Sequence, residues 1–242
     1  MKTVLITGAS RGIGAAIAAE FARGHYHLVL NCIHSADELE ALAEELRETC
    51  QTNVLTCVGD IGDSSFVDRM FAEANTQFGG IDILVNNAGI SHIGLLDQMT
   101  PEEWDRILST NLSSVFYCCR QAIPHMVHQK SGKIINISSV WGIVGASCEA
   151  AYAATKGAVN ALTMSLAKEL APSNIQVNAI ACGAIDTQMN ACFSEAEKIS
   201  LEAEIPCGRY GRPEEVASLA ASLATAGSYL TGQIIRLDGG WI

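Results

Sequence analysis

The chain has 242 residues, nearly half of them apolar, and a formal charge of −11. That length suits one sizeable α/β core. The charge argues against nucleic acid or an anionic membrane as the main partner, and no apolar run approaches the roughly 20 residues of a membrane span. Nine cysteines include no Cys-x-x-Cys pair, so they read as reduced, mostly core thiols of a reducing compartment. His125 and His128 stand at helical spacing. No Cys or carboxylate ligand set accompanies them, and no metal is expected.

The stretch from Met1 to Ile6 lacks the long apolar region of a signal peptide and reads as the first strand of a cytoplasmic protein. Thr7-Gly8-Ala9-Ser10-Arg11-Gly12-Ile13-Gly14 follows, then a helical run from Ala15 to Arg23. Strand, glycine-rich turn and helix form a geometry that binds phosphate. Glycines let the backbone approach a pyrophosphate, and the helix N-terminus supplies N–H groups and a positive dipole end. The spacing is G-x-x-x-G-x-G rather than G-x-G-x-x-G. A second strand, His27–Cys32, ends in Asn31-Cys32-Ile33-His34-Ser35, with no carboxylate before Asp37. A carboxylate here holds the ribose 2′-hydroxyl in NAD-binding folds and repels a 2′-phosphate. Its absence, with Arg11 in the loop, favours NADP.

Ala36–Cys50 is an acidic amphipathic helix, and Val54–Val58 a third strand closing at Gly59-Asp60-Ile61. Asp60 has two readings, a bond to the adenine amino group or a cap for the helix beginning near Asp63 and Ser64. Ile81–Val85 is the fourth strand. Asn86-Asn87-Ala88-Gly89 after it suits a loop beside a ribose, and equally a plain turn. Thr100-Pro101-Glu102-Glu103 opens a helix with a Thr N-cap, Pro first and Glu third. That helix runs through Asn111 toward His128. Asn is a poor helix former, so the Asn111 amide is expected to hold a water or to mark a local opening of the helix.

Lys133–Ser139 is a short run rich in β-branched residues and reads as a buried strand. The Ala-rich segment around Tyr152 and Lys156 reads as a helix, with those two side chains one turn apart on one face. Ser139 sits at the strand end, where open α/β sheets bind ligands. An ammonium near a phenol favours the phenolate and lowers its pKa. Tyr152 can then exchange a proton with a carbonyl or alcohol oxygen, and Ser139 can hydrogen-bond that same oxygen. A Tyr-x-x-x-Lys pair also fits an ordinary amphipathic helix, so the surrounding motifs decide. Ile175–Ala181 is the sixth strand. Asp186–Pro206 is charged and irregular and reads as a mobile lid over residues 186–206. Gln233–Leu237 is the last strand, closed by Asp238-Gly239-Gly240. Strands and helices alternate throughout. The expectation is one doubly wound, seven-stranded parallel α/β sheet of the Rossmann type, in a single domain over residues 1–242.

With these motifs the chain resembles the short-chain dehydrogenase/reductases over its whole length. The resemblance rests on the Thr7–Gly14 loop, Asn86-Asn87-Ala88-Gly89, Asn111, Ser139, and Tyr152-x-x-x-Lys156 thirteen residues after that serine. Glu204-Ile205-Pro206-Cys207-Gly208-Arg209, Arg212-Pro213-Glu214-Glu215-Val216-Ala217 and Tyr229-Leu230-Thr231-Gly232-Gln233 are similar to the 3-oxoacyl-carrier-protein reductase branch. The resemblance implies an enzyme, usually a homotetramer, that reduces a ketone to a secondary alcohol with NADP(H). It implies that Tyr152 is the acid/base, that Lys156 holds the nicotinamide ribose and depresses the Tyr152 pKa, that Ser139 orients the carbonyl, and that Asn111 holds a relay water. The implied cofactor site comprises Gly8, Ser10, Arg11, Gly12, Ile13, Gly14, Asn31, Cys32, His34, Ser35, Asp60, Ile61, Asn87, Ala88, Gly89, Tyr152, Lys156, Gly183, Ile185 and Thr187. The implied substrate pocket comprises Ser139, Trp141, Glu149 and Met189. Cys182 stands where the family usually has Pro, which suggests a more flexible backbone there.

The substrate is a small-molecule or carrier-attached ketone. Lys130 and Lys133 are candidates for a basic patch that receives an acidic carrier protein, whereas Glu149 suits a cationic substrate. Trp141–Glu149 is similar to reductases of a 5-aminopentanone group on elongation factor P, and a hydroxysteroid or other small-alcohol dehydrogenase is a further alternative. A non-catalytic dinucleotide-binding sensor is the reading from another class. The Asn111, Ser139, Tyr152 and Lys156 set argues against it, since a binding module needs no proton donor.

Overall fold

The computed structural model describes residues 1–190 and 193–242. In chain order the elements are β1 (Thr3–Ile6), α1 (Gly12–Arg23), β2 (His27–Cys32), α2 (Ala36–Cys50), β3 (Val54–Val58), α3 (Ser64–Phe78) and β4 (Ile83–Asn86). The second half comprises α4 (Pro101–Leu108), α5 (Ser114–Gln129), β5 (Gly132–Ser139), α6 (Trp141–Val144), α7 (Ala150–Leu170), β6 (Ile175–Cys182), α8 (Glu195–Glu204), α9 (Pro213–Thr225) and β7 (Ile234–Leu237). The strands lie in the order β3-β2-β1-β4-β5-β6-β7, and every pair is parallel. The chain starts mid-sheet, winds out to β3, returns to β4 and winds out to β7. The loops after β1 and β4 therefore diverge and open a crevice at the carboxyl edge, the place where such sheets bind ligands.

Strand side chains alternate between two cores. Val4, Ile6, Leu28, Leu30, Ile135 and Ile180 pack against Ile17 and Phe21 of α1, Leu39 of α2 and Val216 of α9. Leu5, Val29, Leu84, Ile134 and Val177 pack against Phe71 of α3, Val115 of α5 and Val159 of α7. Burial on both faces explains why these strands read as apolar runs rather than alternating ones. No described helix is long and apolar enough to cross a membrane. The eight described cysteines are all free thiols.

The structure changes several expectations. β4 begins at Ile83 and extends to Asn86, which pairs with Asn136. The helix through Asn111 is not continuous. A π-turn over Ser109–Ser113 separates α4 from α5, so the local opening is real. The segment expected to be irregular contains α8, whose N-terminus is a capping box between Ser194 and Glu197. Cys182 stands within β6. It keeps the N–H that Pro lacks, and β6 runs through it in register with Ser139 on one side and Leu237 on the other.

Candidate active site

The glycine loop is shaped from beneath by three polar side chains. The Thr7 hydroxyl accepts bonds from the Asn87 and Ala88 N–H groups, each at 3.0 Å. The Asn87 amide donates to the carbonyls of Thr7 and Gly8 at 2.9 and 3.0 Å. The buried Asn31 amide donates to the carbonyls of Cys32, Cys57 and Gly59, and the Asn31 carbonyl accepts from Ala9 N–H at 2.7 Å. Gly8 adopts φ +64°, and a Cβ there would meet Ala88 Cα at 2.9 Å. A Cβ on Gly14 would sit 2.2 Å from the Gly8 carbonyl oxygen. Only glycine fits these places, and the backbone is thereby left open to a ligand. No side chain caps α1, so its first N–H groups face the cleft. These residues fit the pyrophosphate of a dinucleotide.

The reactive cluster lies beside this cradle. Ser139 ends β5, and its Oγ accepts the Trp141 N–H at 3.2 Å. The Ser139 hydroxyl lies beside the Tyr152 hydroxyl and favours its ionised form. Lys156 is buried, donates to the Ile137 carbonyl at 2.8 Å, and lies 5.6 Å from the Tyr152 ring centroid. Burial pushes the Tyr152 phenol up, the Cys182 thiol adds to this, and the Ser139 hydroxyl opposes it. Burial also pushes Lys156 down to about 8. Desolvation of the phenolate is the largest influence on Tyr152 among the protein's own groups. Cys182, pushed up to about 12 by burial, is a neutral thiol next to both.

Asn111 is buried at the π-turn. Its Oδ1 accepts the Ile90 N–H at 2.8 Å, and its Nδ2 donates to the Ile90 carbonyl at 2.8 Å and to Thr155 Oγ1 at 3.2 Å. Both amide protons are engaged, so the side chain braces the loop after β4 against α7. Of the two readings of Asp60, the cap belongs to Asp63, which accepts from Ser65 N–H at 2.9 Å. Asp60 instead accepts the Gly62 N–H at 2.7 Å.

One cleft of about 1130 Å³ unites these parts. Gly8, Ser10, Arg11, Gly12, Ile13, Asn31, Cys32, His34, Ser35, Asp60, Ile61, Asn87, Ala88, Gly89, Gly183, Ile185 and Thr187 line it, as do Ser139, Trp141, Glu149, Tyr152, Lys156 and Met189. Gly14 and Asn111 do not; they support the wall from behind. Sequence reasoning missed Thr7, the Ile90–Ser91 segment, Phe193, Leu201 of α8, and Trp241. α8 was legible in part, since Ser194-Glu195-Ala196-Glu197 is a capping-box pattern. Nothing in the sequence placed Trp241 beside Trp141. Lys133, by contrast, lies at the opposite end of β5 from Ser139, and its Nζ donates to the Ala226 carbonyl at 2.7 Å. Lys130 ends α5 at that same far edge.

A dinucleotide cradle at the switch point of a parallel sheet, with a phenol, a hydroxyl and an ammonium in the same cleft, defines a nicotinamide-dinucleotide oxidoreductase acting on a CH–OH or C=O group. The chain belongs to the short-chain dehydrogenase family, whose model, described as short chain dehydrogenase, matches residues 2–198. It is 42% identical over 240 residues to the 3-oxoacyl-acyl-carrier-protein reductase FabG of Staphylococcus aureus, covering 99% of this chain and 97% of that one. It is 39% identical to the uncharacterized oxidoreductase YmfI of Bacillus subtilis, covering 99% and 98%. A crystal structure of a protein assigned as a gluconate dehydrogenase from Agrobacterium tumefaciens superposes with a TM-score of 0.94 at 33% identity, covering 99% of this chain and 95% of that one.

Proposed function

We propose that the protein reduces a ketone in an acyl-like chain to a secondary alcohol, using NADPH. The observation that carries this is the Ser139–Tyr152 hydroxyl pair, with Lys156 beside it, in the cleft that also holds the glycine cradle. The dinucleotide, when bound, supplies the hydride. Tyr152 is held protonated by burial and gives its proton to the ketone oxygen. Ser139 donates a hydrogen bond to that same oxygen and fixes its place. Lys156, anchored by the Ile137 carbonyl, would hold the ribose hydroxyls of the dinucleotide and places its ammonium beside the phenol ring. Asn111 acts as a positioning residue through Ile90.

The choice of NADPH is supported by the end of β2, where Asn31, Cys32, Ile33, His34 and Ser35 line the cleft without a carboxylate and Arg11 stands opposite. An acyl-like chain is supported by the 3-oxoacyl reductase relatives and by Ile93 and Met189, which line the cleft yet stay 52% and 47% exposed. A homotetramer belongs to the same reading, supported by exposed Phe116 on α5 and Met164 on α7; the mass in solution checks it. The test is cofactor oxidation with 3-oxoacyl thioesters, simple ketones, steroids and amino-ketones. Consumption of NADPH in preference to NADH with at least one ketone is expected, and no consumption with any of them overturns the reading.

A further inference from the structure

Asn160 stands in the middle of α7, where Asn is a poor helix former. It is buried, and it lies behind the cleft wall rather than on it. Tyr152, Lys156 and Asn160 are spaced four apart, so they follow one another along one face of the helix. The Asn160 amide is engaged at both ends. Its Oδ1 accepts the Ser138 hydroxyl at 2.7 Å, and its Nδ2 donates to the Gly142 carbonyl at 3.1 Å. Ser138 is near the end of β5 and Gly142 is in α6. One side chain therefore ties both sides of the β5–α6 turn to α7. Ser139 lies inside that turn, where its Oγ accepts the Trp141 N–H at 3.2 Å and the next N–H, of Val140, donates to the Cys182 carbonyl at 3.0 Å. Gly142 seats α6 directly on α7. A Cβ there would come 2.6 Å from the Lys156 carbonyl carbon and 2.8 Å from the Gly157 nitrogen. Ile137, one residue before Ser138, supplies the carbonyl that holds Lys156 Nζ at 2.8 Å. Ser139 and Lys156 are thus located by the same few residues of strand and helix that Asn160 joins. An apolar side chain at this place would take the donor from the Gly142 carbonyl and leave the Ser138 hydroxyl only the Lys156 carbonyl, at 3.4 Å. Buried polar groups that lose a partner are costly, and the turn would shift to find others.

We propose that Asn160 is a positioning residue for the reduction, acting through Ser138 and Gly142 to aim the Ser139 hydroxyl at the oxygen that Tyr152 protonates. The role rests on the reductase reading and extends its machinery to a side chain outside the cleft. A hydrogen-bond donor works only where it meets the developing charge, and a misplacement of about 1 Å can cost roughly 10²-fold in rate. The Ser139 Oγ is carried by a turn, and Asn160 is the side chain that closes that turn onto the helix bearing Tyr152 and Lys156.

The test is a double-mutant cycle between Asn160→Leu, close to Asn in shape but without donor or acceptor, and Ser139→Ala. Wild type, both single variants and the double variant are assayed with NADPH and a ketone that wild type reduces. Asn160→Leu is expected to lower kcat by roughly 10- to 100-fold, with the Kd for NADPH close to wild type. In the Ser139→Ala background the same substitution should change kcat by less than about 3-fold, because the hydroxyl it aims is gone. A purely structural Asn160 weakens both backgrounds alike, so equal fold-losses overturn the role. An unchanged kcat, or a loss confined to NADPH binding, overturns it as well. Ser138→Ala removes the hydroxyl partner alone and serves if Asn160→Leu does not fold. The same dependence on Ser139 is expected at smaller amplitude, and equal losses with and without Ser139 again overturn the role. If wild type reduces no ketone, the reductase reading fails and the role falls with it, whereas additive losses in an active enzyme overturn the role alone.

Discussion

Tyr152 combines two properties that a proton donor needs: burial keeps its phenol protonated, and the Ser139 hydroxyl fixes its direction. Tyr152→Phe removes the proton and little else. Turnover should fall by roughly 10²–10⁴-fold, the usual worth of general acid catalysis, while the Kd for NADPH, read by fluorescence, stays close to wild type. A variant with near wild-type kcat contradicts the role. Lys156 gives a pH signature. Its pKa is lowered to about 8, so it is charged below that value and neutral above it. If the ammonium is the working form, kcat/KM for reduction should hold steady below that pH and decline as pH rises through it. A profile that stays flat up to the range of an ordinary lysine argues for a purely structural Lys156. Arg11 sits exposed at the edge of the cradle. Charge-assisted bonds to a 2′-phosphate are worth roughly 1.5–3 kcal/mol, so Arg11→Ala should narrow the NADPH-over-NADH preference by roughly 10- to 100-fold. Equal affinities in wild type refute the assignment.

At the scale of elements, the turn from β1 into α1 depends on close backbone contact. Gly14→Ala places a methyl 2.2 Å from the Gly8 carbonyl oxygen, and the loop must move. NADPH affinity should drop by more than roughly 10-fold and stability by about 1–3 kcal/mol. Gly227→Ala, where a Cβ meets nothing within 4 Å, is the control and should change stability by less than about 0.5 kcal/mol. If both variants behave alike, the contact does not matter. The same comparison shows what the sequence could and could not reveal. Strand, glycine loop and helix are adjacent in the chain, so local pattern alone placed the cradle. Tyr152 and Lys156 share a helix turn, and Ser139 ends a strand, so their meeting follows from topology. The bracing of Ile90 by Asn111 is a contact across 21 residues, and no local pattern encodes it. Asn111 was still visible as a misfit in its helix, and the π-turn is its structural form. The helix α8 was overlooked because charged residues hid a weak apolar face. The Trp141–Trp241 contact joins residues 100 positions apart in sequence, and only the fold reveals it. The burial of Tyr152 was hidden too, because sequence spacing shows the neighbouring charge but not the packing around it.

For the whole molecule, charge decides between kinds of partner. The formal charge is −11, and Glu149, Glu197 and Glu204 line the cleft. Lys130 and Lys133 stand at the far edge of the sheet. The rise of roughly 3.3 Å per residue along β5 puts them about 20 Å from Ser139, so they cannot guide a carrier protein to the mouth. The 3-oxoacyl-carrier-protein reductase relatives point toward a carrier-borne substrate, while the local charges point the other way. An acyl group on the acidic carrier protein should therefore show no advantage in kcat/KM over the same group on a small neutral thiol, and added salt should improve the carrier form. A strong preference for the carrier form that salt weakens establishes a basic docking patch instead. Beneath all of this lies the proposed hydride transfer from NADPH to a ketone carbon. Its most direct measurement is mass spectrometry of the product formed from a reducible ketone and NADPH carrying deuterium at the transferable position of the nicotinamide. The expected result is a secondary alcohol with one deuterium on the carbinol carbon for each NADPH consumed. Tight NADPH binding with no labelled alcohol from any ketone contradicts the assignment and marks the protein as a dinucleotide-binding module without turnover.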